Sequence, residues 1–218
     1  MLGLAPVAGR PLRLALLGAH CDDVEIGCGG LVLDLAARGA LGEVDVLVLA
    51  SEPAREAESQ AALAAFCAPA TPAVRFGGLA DGRLPGHWNE TKDLLQDWAV
   101  ACRAADVVLA PSPADAHQDH RLLGELVRTA FRDHLVLHYE IPKWDGDLGS
   151  ARPSVYWPLT AEQLGRKYAL LSEHYPSQRG HDWFREDTFR GLARLRGMEC
   201  RADYAEAFGC PALVLRLS

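Results

Sequence analysis

His20, Asp22 and Asp23 fall within four consecutive positions of a 218-residue chain, and Asp115, His117, Asp119 and His120 fall within six. Imidazole and carboxylate are the donors that catalytic zinc takes, typically three from the protein with one position left for water. His20 and Asp23 can converge from one loop, and His120 can close the set from the other. Asp22 then remains as a carboxylate for moving a proton, although spacing alone does not separate the roles of two adjacent aspartates. The chemistry such a set serves is hydrolysis at neutral pH. Bound zinc lowers the pKa of water from 15.7 to about 7 and polarises a carbonyl oxygen, and a positioned acid or base adds roughly 10²–10⁴-fold. A single His–Asp pair after a strand reads equally well as a solvated loop or a helix cap, and Asp115 as a turn residue. Two such clusters at one end of a sheet favour the metal site.

Each cluster directly follows a short apolar run that reads as a buried strand, residues 13–18 and 107–110. Further strands are expected at 44–50, 74–77 and 135–140. Helical spacing covers 28–38, 54–67 with Pro53 in its first turn, 91–104 with Asn89 as a cap, and 118–132. Alternating strands and helices of these lengths predict an α/β fold, a Rossmann-like and mainly parallel sheet flanked by helices. Such sheets bind ligands at the carboxyl ends of their strands, where both clusters sit. Residues 141–156 are rich in Pro and Gly and read as an ordered loop. Helices are expected at 161–174 and 183–196, and residues 211–217 read as a strand or an apolar tail. With no internal repeat or flexible linker, one domain over residues 1–218 is expected.

Composition narrows the function classes. Hydrophobic residues are 49% and charged residues 23% of the chain, as in an ordinary globular protein. A net charge of −7 gives no general attraction for a phosphate backbone, so nucleic acid is not expected as a partner. Gly27, Gly29 and Gly30 do not form a dinucleotide fingerprint, because Gly18 is followed by His-Cys-Asp-Asp and an acidic loop repels a pyrophosphate. They are expected to let a helix approach the sheet closely and to leave backbone N–H groups near the site. Six cysteines without a Cys-x-x-Cys pair predict a reduced, cytoplasmic protein rather than a disulfide framework. The apolar run at 14–17 is shorter than the roughly 7–15 residues of a signal-peptide core. No run approaches the about 18 residues of a membrane span.

The segment from Ala19 to Gly30, AHCDDVEIGCGG, together with HQDH at His117 to His120, resembles the PIG-L/LmbE-like family of zinc-dependent N-deacetylases. The likeness extends over most of the chain through Arg55-x-x-Glu58, Leu79-x-Asp81-Gly82, Lys167 and Ser177-Gln178. Cys21 departs from the proline usual at its position and is expected to be a packing residue. The resemblance implies Zn²⁺ held by His20, Asp23 and His120, with Asp22 as general base for the attacking water. It implies that His117 stabilises the oxyanion or protonates the departing amine, and that Asp119 orients an imidazole, that of His117. The implied substrate is a small amino sugar acetylated on nitrogen: a conjugate, a nucleotide sugar or a natural-product intermediate. A zinc amidohydrolase acting on a larger amide such as a thiol conjugate, a nucleotide-binding Rossmann protein and a non-catalytic sugar-binding protein are the alternatives. Neither a membrane nor a nucleic acid is implied as a partner.

Around this centre, several residues carry two readings. Arg55 and Glu58 are either a surface ion pair or, as in the family, an arginine facing the substrate. Asp81 is either a turn residue or an acceptor for sugar hydroxyls. Glu140 and Trp144 lie in a segment dense in groups that bind carbohydrate, with Trp144 offering a flat apolar face. Lys167 meets a substrate phosphate or sits on a helix surface. His87 and Trp88 are candidates for the rim, while His134, His174 and His181 read as structural or surface residues.

Overall fold

The computed structural model describes residues 10–142 and 152–214. Strands β1 (Leu12–Gly18), β2 (Leu41–Ala50), β3 (Ala73–Leu79), β4 (Val107–Pro111) and β5 (Leu135–Tyr139) pair in parallel. β7 (Tyr204–Gly209) runs antiparallel to β5, and β6 (Val155–Leu159) antiparallel to β7. The order across the sheet is β3-β2-β1-β4-β5-β7-β6. The winding therefore reverses between β1 and β4, which leaves a crevice at their carboxyl ends.

Helices cover both faces. α1 (Asp23–Ala37), α2 (Pro53–Cys67), α5 (Ala161–His174) and α6 (Glu186–Cys200) supply one layer; α3 (Trp88–Ala101) and α4 (Gln118–Ala130) supply the other. This accounts for the unbroken apolar run of β1. Leu14 and Leu16 enter the first layer, while Ala15 and Leu17 enter the second. A sheet covered on both sides has no polar face. Each buried leucine contributes about 1.5–3 kcal/mol over an exposed one.

The expected alternation of strands and helices is present, with differences at its edges. α1 begins at Asp23, five residues before the expected start, because the acidic first turn that reads as loop suits a helix N-terminus. α3 begins at Trp88 after a 3₁₀ turn at Leu84–His87, so Asn89 lies inside the helix and is not its cap. α6 begins at Glu186, leaving 183–185 as a turn. The last strand is Tyr204–Gly209; residues 211–214 are exposed and outside any strand. Ala and Glu within β7 give it weak intrinsic strand preference, and pairing with β5 and β6 makes it a strand.

Three glycines of α1 let it sit against its neighbours. A Cβ at Gly27 would lie 2.1 Å from the Tyr139 ring, one at Gly29 2.5 Å from Phe66, and one at Gly30 2.6 Å from Leu159. The helix cannot hold its place with larger residues there. The N–H groups of Gly30 and Leu31 donate to Glu206, each at 2.7 Å, rather than facing the site.

Candidate metal centre and catalytic cavity

β1 ends at Gly18, and the chain turns through His20 into α1, which places Asp23 in the first helical turn. β4 ends at Pro111 on the other side of the crevice, and α4 starts just after His117, so His120 projects back from its first turn. His20 Nδ1 and His120 Nε2 lie 3.1 Å apart. Asp23 Oδ2 is 3.4 Å from the first and 3.3 Å from the second. A tetrahedral ion with bonds of about 2.0–2.1 Å sets its ligands about 3.3–3.4 Å apart, and these atoms match that spacing.

The outer nitrogens face carboxylates. His20 Nε2 faces Asp81 Oδ1 at 3.0 Å and Asp119 Oδ2 at 3.2 Å, so it carries the hydrogen and leaves the Nδ1 lone pair turned inward. His120 Nδ1 lies 3.0 Å from Asp115 Oδ1, and with its hydrogen on that side the Nε2 lone pair turns inward as well. Two imidazole lone pairs and a buried carboxylate oxygen repel one another unless a cation lies among them. The residues fit a metal ion, and the flanking carboxylates are the usual outer support of metal-binding imidazoles. Burial works against a charged His20, but Asp23, Asp119 and Asp81 outweigh it and hold the pKa well above the ordinary histidine value. The site asks for positive charge.

His117 also brings a ring nitrogen within 4.8 Å of ligand atoms on His20 and His120. Its Nδ1, however, accepts the Asp119 backbone N–H at 3.2 Å, capping α4. A neutral His117 therefore carries its hydrogen on Nε2, as a donor. The Asp119 carboxylate lies 3.2 Å from the His20 imidazole, while the Asp119 backbone N–H is the group that His117 Nδ1 accepts. The same carboxylate takes the N–H groups of Gly82 at 2.8 Å and Leu84 at 3.2 Å, which ties the segment carrying Asp81 to the centre.

A cavity of about 840 Å³ opens over these groups, lined in part by His20, Asp22, Arg55, Asp81 and His117. Asp22 is buried, and its Oδ2 lies 3.3 Å from the Arg55 guanidinium. Arg55 is held in turn by Glu58 at 2.8 Å, by Ser177 Oγ at 2.5 Å and by the Tyr175 ring 5.2 Å below it. The Arg55–Glu58 ion pair is therefore part-buried and not a surface pair, and Arg55 lines the cavity. Cys21 also lines the cavity, where burial pushes its thiol up to about 12, so it is a packing group and not a thiolate.

Two expected substrate residues lie elsewhere. Glu140 is clamped by Arg196, with Nε to Oε2 at 2.8 Å and Nη2 to Oε1 at 2.5 Å. Lys167 is buried, donating to the Ile26 carbonyl at 2.6 Å and to Glu206 at 2.7 Å, so it neither sits on a surface nor reaches a substrate phosphate. Both readings missed their partners because Arg196 and Glu206 arrive from the end of the chain. Trp144, with Lys143, lies outside the described residues. Asp115 does act as the turn residue expected of it, its Oδ1 accepting the His117 N–H at 2.8 Å, and the same oxygen lies 3.0 Å from His120 Nδ1. Gln178, His181, Asp182 and Trp183 also line the cavity; Gln178 belongs to the Ser177-Gln178 segment of the resemblance, His181 reads from the sequence as structural or surface, and Asp182 and Trp183 carry no sequence signal.

Comparison with known proteins agrees with this geometry. The family described as PIG-L, GlcNAc-PI de-N-acetylase, matches residues 15–131. A protein of Escherichia coli (strain K12) described as uncharacterized deacetylase YaiS is 30% identical over 178 residues, 77% of this chain and 92% of that protein. The N,N'-diacetylchitobiose deacetylase of Pyrococcus horikoshii superposes with a TM-score of 0.70 at 19% identity, covering 91% of this chain and 83% of that one. GalB, the 4-carboxy-2-hydroxymuconate hydratase of Pseudomonas putida KT2440, superposes with a TM-score of 0.70 at 18% identity, covering 95% and 100%. These two structures share the fold, and they show that the fold alone does not choose a reaction. The sequence matches go further: one spans both site clusters and the other 77% of the chain, and by them this protein belongs to the PIG-L (GlcNAc-PI de-N-acetylase) family.

Proposed function

We propose that this protein is a zinc-dependent N-deacetylase that hydrolyses the acetamide of an N-acetylglucosamine-type sugar. The observation that carries the reading is the convergence of His20 Nδ1, Asp23 Oδ2 and His120 Nε2 beside a cavity that Asp22 and His117 also line. The imidazole and carboxylate donor set suits zinc.

His20, Asp23 and His120 would hold the ion, which supplies an acidified water and a polarised amide carbonyl. Asp22, buried at the cavity floor, accepts the proton of the attacking water and returns it to the departing amine. His117 Nε2–H donates to the oxygen that becomes an oxyanion as the carbonyl carbon turns tetrahedral. Acetate leaves as the C–N bond breaks. Arg55 keeps Asp22 in place and presents its remaining N–H groups to the substrate. Asp81, exposed at the rim, accepts from sugar hydroxyls. The belonging to a de-N-acetylase family and the deacetylase relatives support the reading. A small acetylated amino sugar is the partner; nucleic acid and membrane are not. Among the described residues no helix is long and apolar enough to cross a membrane. All six cysteines are free, which supports a cytoplasmic setting.

The test is acetate and amine release from a panel of N-acetyl sugars, with and without chelator. Chelator-sensitive release that Asp22→Asn abolishes is expected. Equal activity in Asp22→Asn, or amine formation that chelation leaves untouched, would sink the reading.

A further inference from the structure

Asp22 stands at the N-cap of α1, where an aspartate ordinarily gives its carboxylate to the backbone N–H two or three residues on. Here its side chain makes no capping bond. Its Oδ2 turns instead toward the Arg55 guanidinium, 3.3 Å away, and the residue lines the cavity. A swing onto the N–H of Val24 or Glu25 is a short side-chain rotation. It would gain a cap for α1 and lose the base from the cavity, so the observed direction needs a restraint.

Three contacts lead to it from Tyr175, a fully buried residue whose hydroxyl lies between two oxygens. One is Glu25 Oε1, at 2.6 Å. The Glu25 carboxyl also accepts its own backbone N–H, which occupies a donor that Asp22 would otherwise cap. The second oxygen is the Cys21 carbonyl, part of the peptide bond that leads into Asp22. The third contact is the ring itself, whose centroid lies 5.2 Å from the Arg55 guanidinium carbon. Tyr175 is in turn tied on both sides. Its N–H closes α5 on the Leu171 carbonyl at 3.0 Å, and its own carbonyl accepts the Gln178 N–H at 3.0 Å across a 3₁₀ turn at Pro176–Gln178. Ser177 of that turn donates its N–H and its hydroxyl to Glu58, at 3.0 Å and 2.6 Å, and Glu58 is the ion-pair partner of Arg55.

We propose that Tyr175 is a positioning residue for the reaction: through Glu25, the Cys21 carbonyl and Arg55 it keeps Asp22 from capping α1 and holds that carboxylate at the cavity. This rests on the deacetylase reading above and deepens it by naming the residue that sets the base.

The test is steady-state deacetylation of N-acetylglucosamine by the full zinc-loaded chain, with metal content measured alongside. Tyr175→Phe keeps the ring beside Arg55 and removes the hydroxyl. It is expected to lower kcat about 10–100-fold, the scale of a misplacement of about 1 Å, with KM within about twofold and metal content unchanged. Glu25→Ala bares the N–H that the carboxyl occupies and is expected to lower kcat in the same way. Glu25→Gln, whose amide oxygen still accepts that N–H, is expected to stay close to the wild type. A loss carried by KM, a loss of metal in Tyr175→Phe, an unchanged kcat in Tyr175→Phe and Glu25→Ala, or a Glu25→Gln as impaired as Glu25→Ala would overturn the proposal. If the wild type deacetylates no N-acetyl sugar, the deacetylase reading has failed, and the positioning is read from crystal structures of Tyr175→Phe and Glu25→Ala. An Asp22 carboxylate moved onto the N–H of Val24 or Glu25 in either variant then supports it, and one that stays against Arg55 in both overturns it.

Discussion

The Lys167 ammonium and the Glu206 carboxylate meet at 2.7 Å inside the hydrogen-bond ladder of α1. Glu206 accepts the N–H groups of Gly30 and Leu31, and Lys167 donates to the carbonyl of Ile26, four residues before Gly30 in α1. An ion pair from α5 and β7 therefore braces the backbone of the helix whose first turn carries Asp23. Lys167→Met should leave a buried carboxylate without its cation and cost about 3–5 kcal/mol, read by urea unfolding. Lys167→Met/Glu206→Gln should recover much of that loss, since a neutral amide oxygen still accepts from the helix. Equal destabilisation by the single and double variants would mean that the pair's charge is not the issue.

Metal content should separate ligands from supports. His20→Ala, Asp23→Ala and His120→Ala should each abolish stoichiometric metal in the purified protein, while Asp22→Asn should retain it. Asp115→Asn and Asp119→Asn should keep the ion but weaken its affinity about 10–100-fold, measured by chelator competition. Full metal retention in His120→Ala would remove it from the ligand set.

His117→Ala should lower kcat about 10²–10³-fold with metal content unchanged, because it removes a donor needed only as the oxyanion forms. A change confined to KM would instead make His117 a substrate-binding group. The distinction is read from steady-state kinetics on a single N-acetyl sugar at full metal occupancy.

Stability should depend on acid through His138. Burial, the largest influence, lowers its pKa below 6.5; the Pro111 carbonyl that accepts from Nδ1 at 2.8 Å opposes this, and Arg128 adds to it. As pH falls below 6.5 the unfolded chain takes up a proton that the folded protein refuses, so this part of the stability, fully present above 6.5, is lost. His138→Asn should flatten the fall in denaturation midpoint between pH 6.5 and pH 5.5, which brackets the onset of that loss. An unchanged slope would assign the acid sensitivity to other groups.

Much of the centre can be read without coordinates. Each donor cluster follows an apolar strand directly, and parallel α/β sheets gather such junctions at one edge. His20, Asp22, Asp23, His117 and His120 emerge from that logic, and Arg55 and Asp81 join them at the cavity. The supporting contacts do not emerge. Asp115 looks like a turn residue until the first turn of α4 brings His120 back over it. Asp119 looks like a partner for the nearby His117 until the crevice sets it against His20, 99 residues away.

The sequence by itself determined the fold class, the donor types and the end of the sheet at which they meet, because hydrophobic period and residue chemistry are local properties. Only the tertiary structure decided which charges serve the site and which hold the scaffold. Lys167 and Glu140 look as functional as Arg55 in one dimension. They are consumed by Glu206 and Arg196, partners 39 and 56 residues further along the chain. A buried charge must be paired wherever the fold places it, and that placement depends on contacts no local pattern encodes.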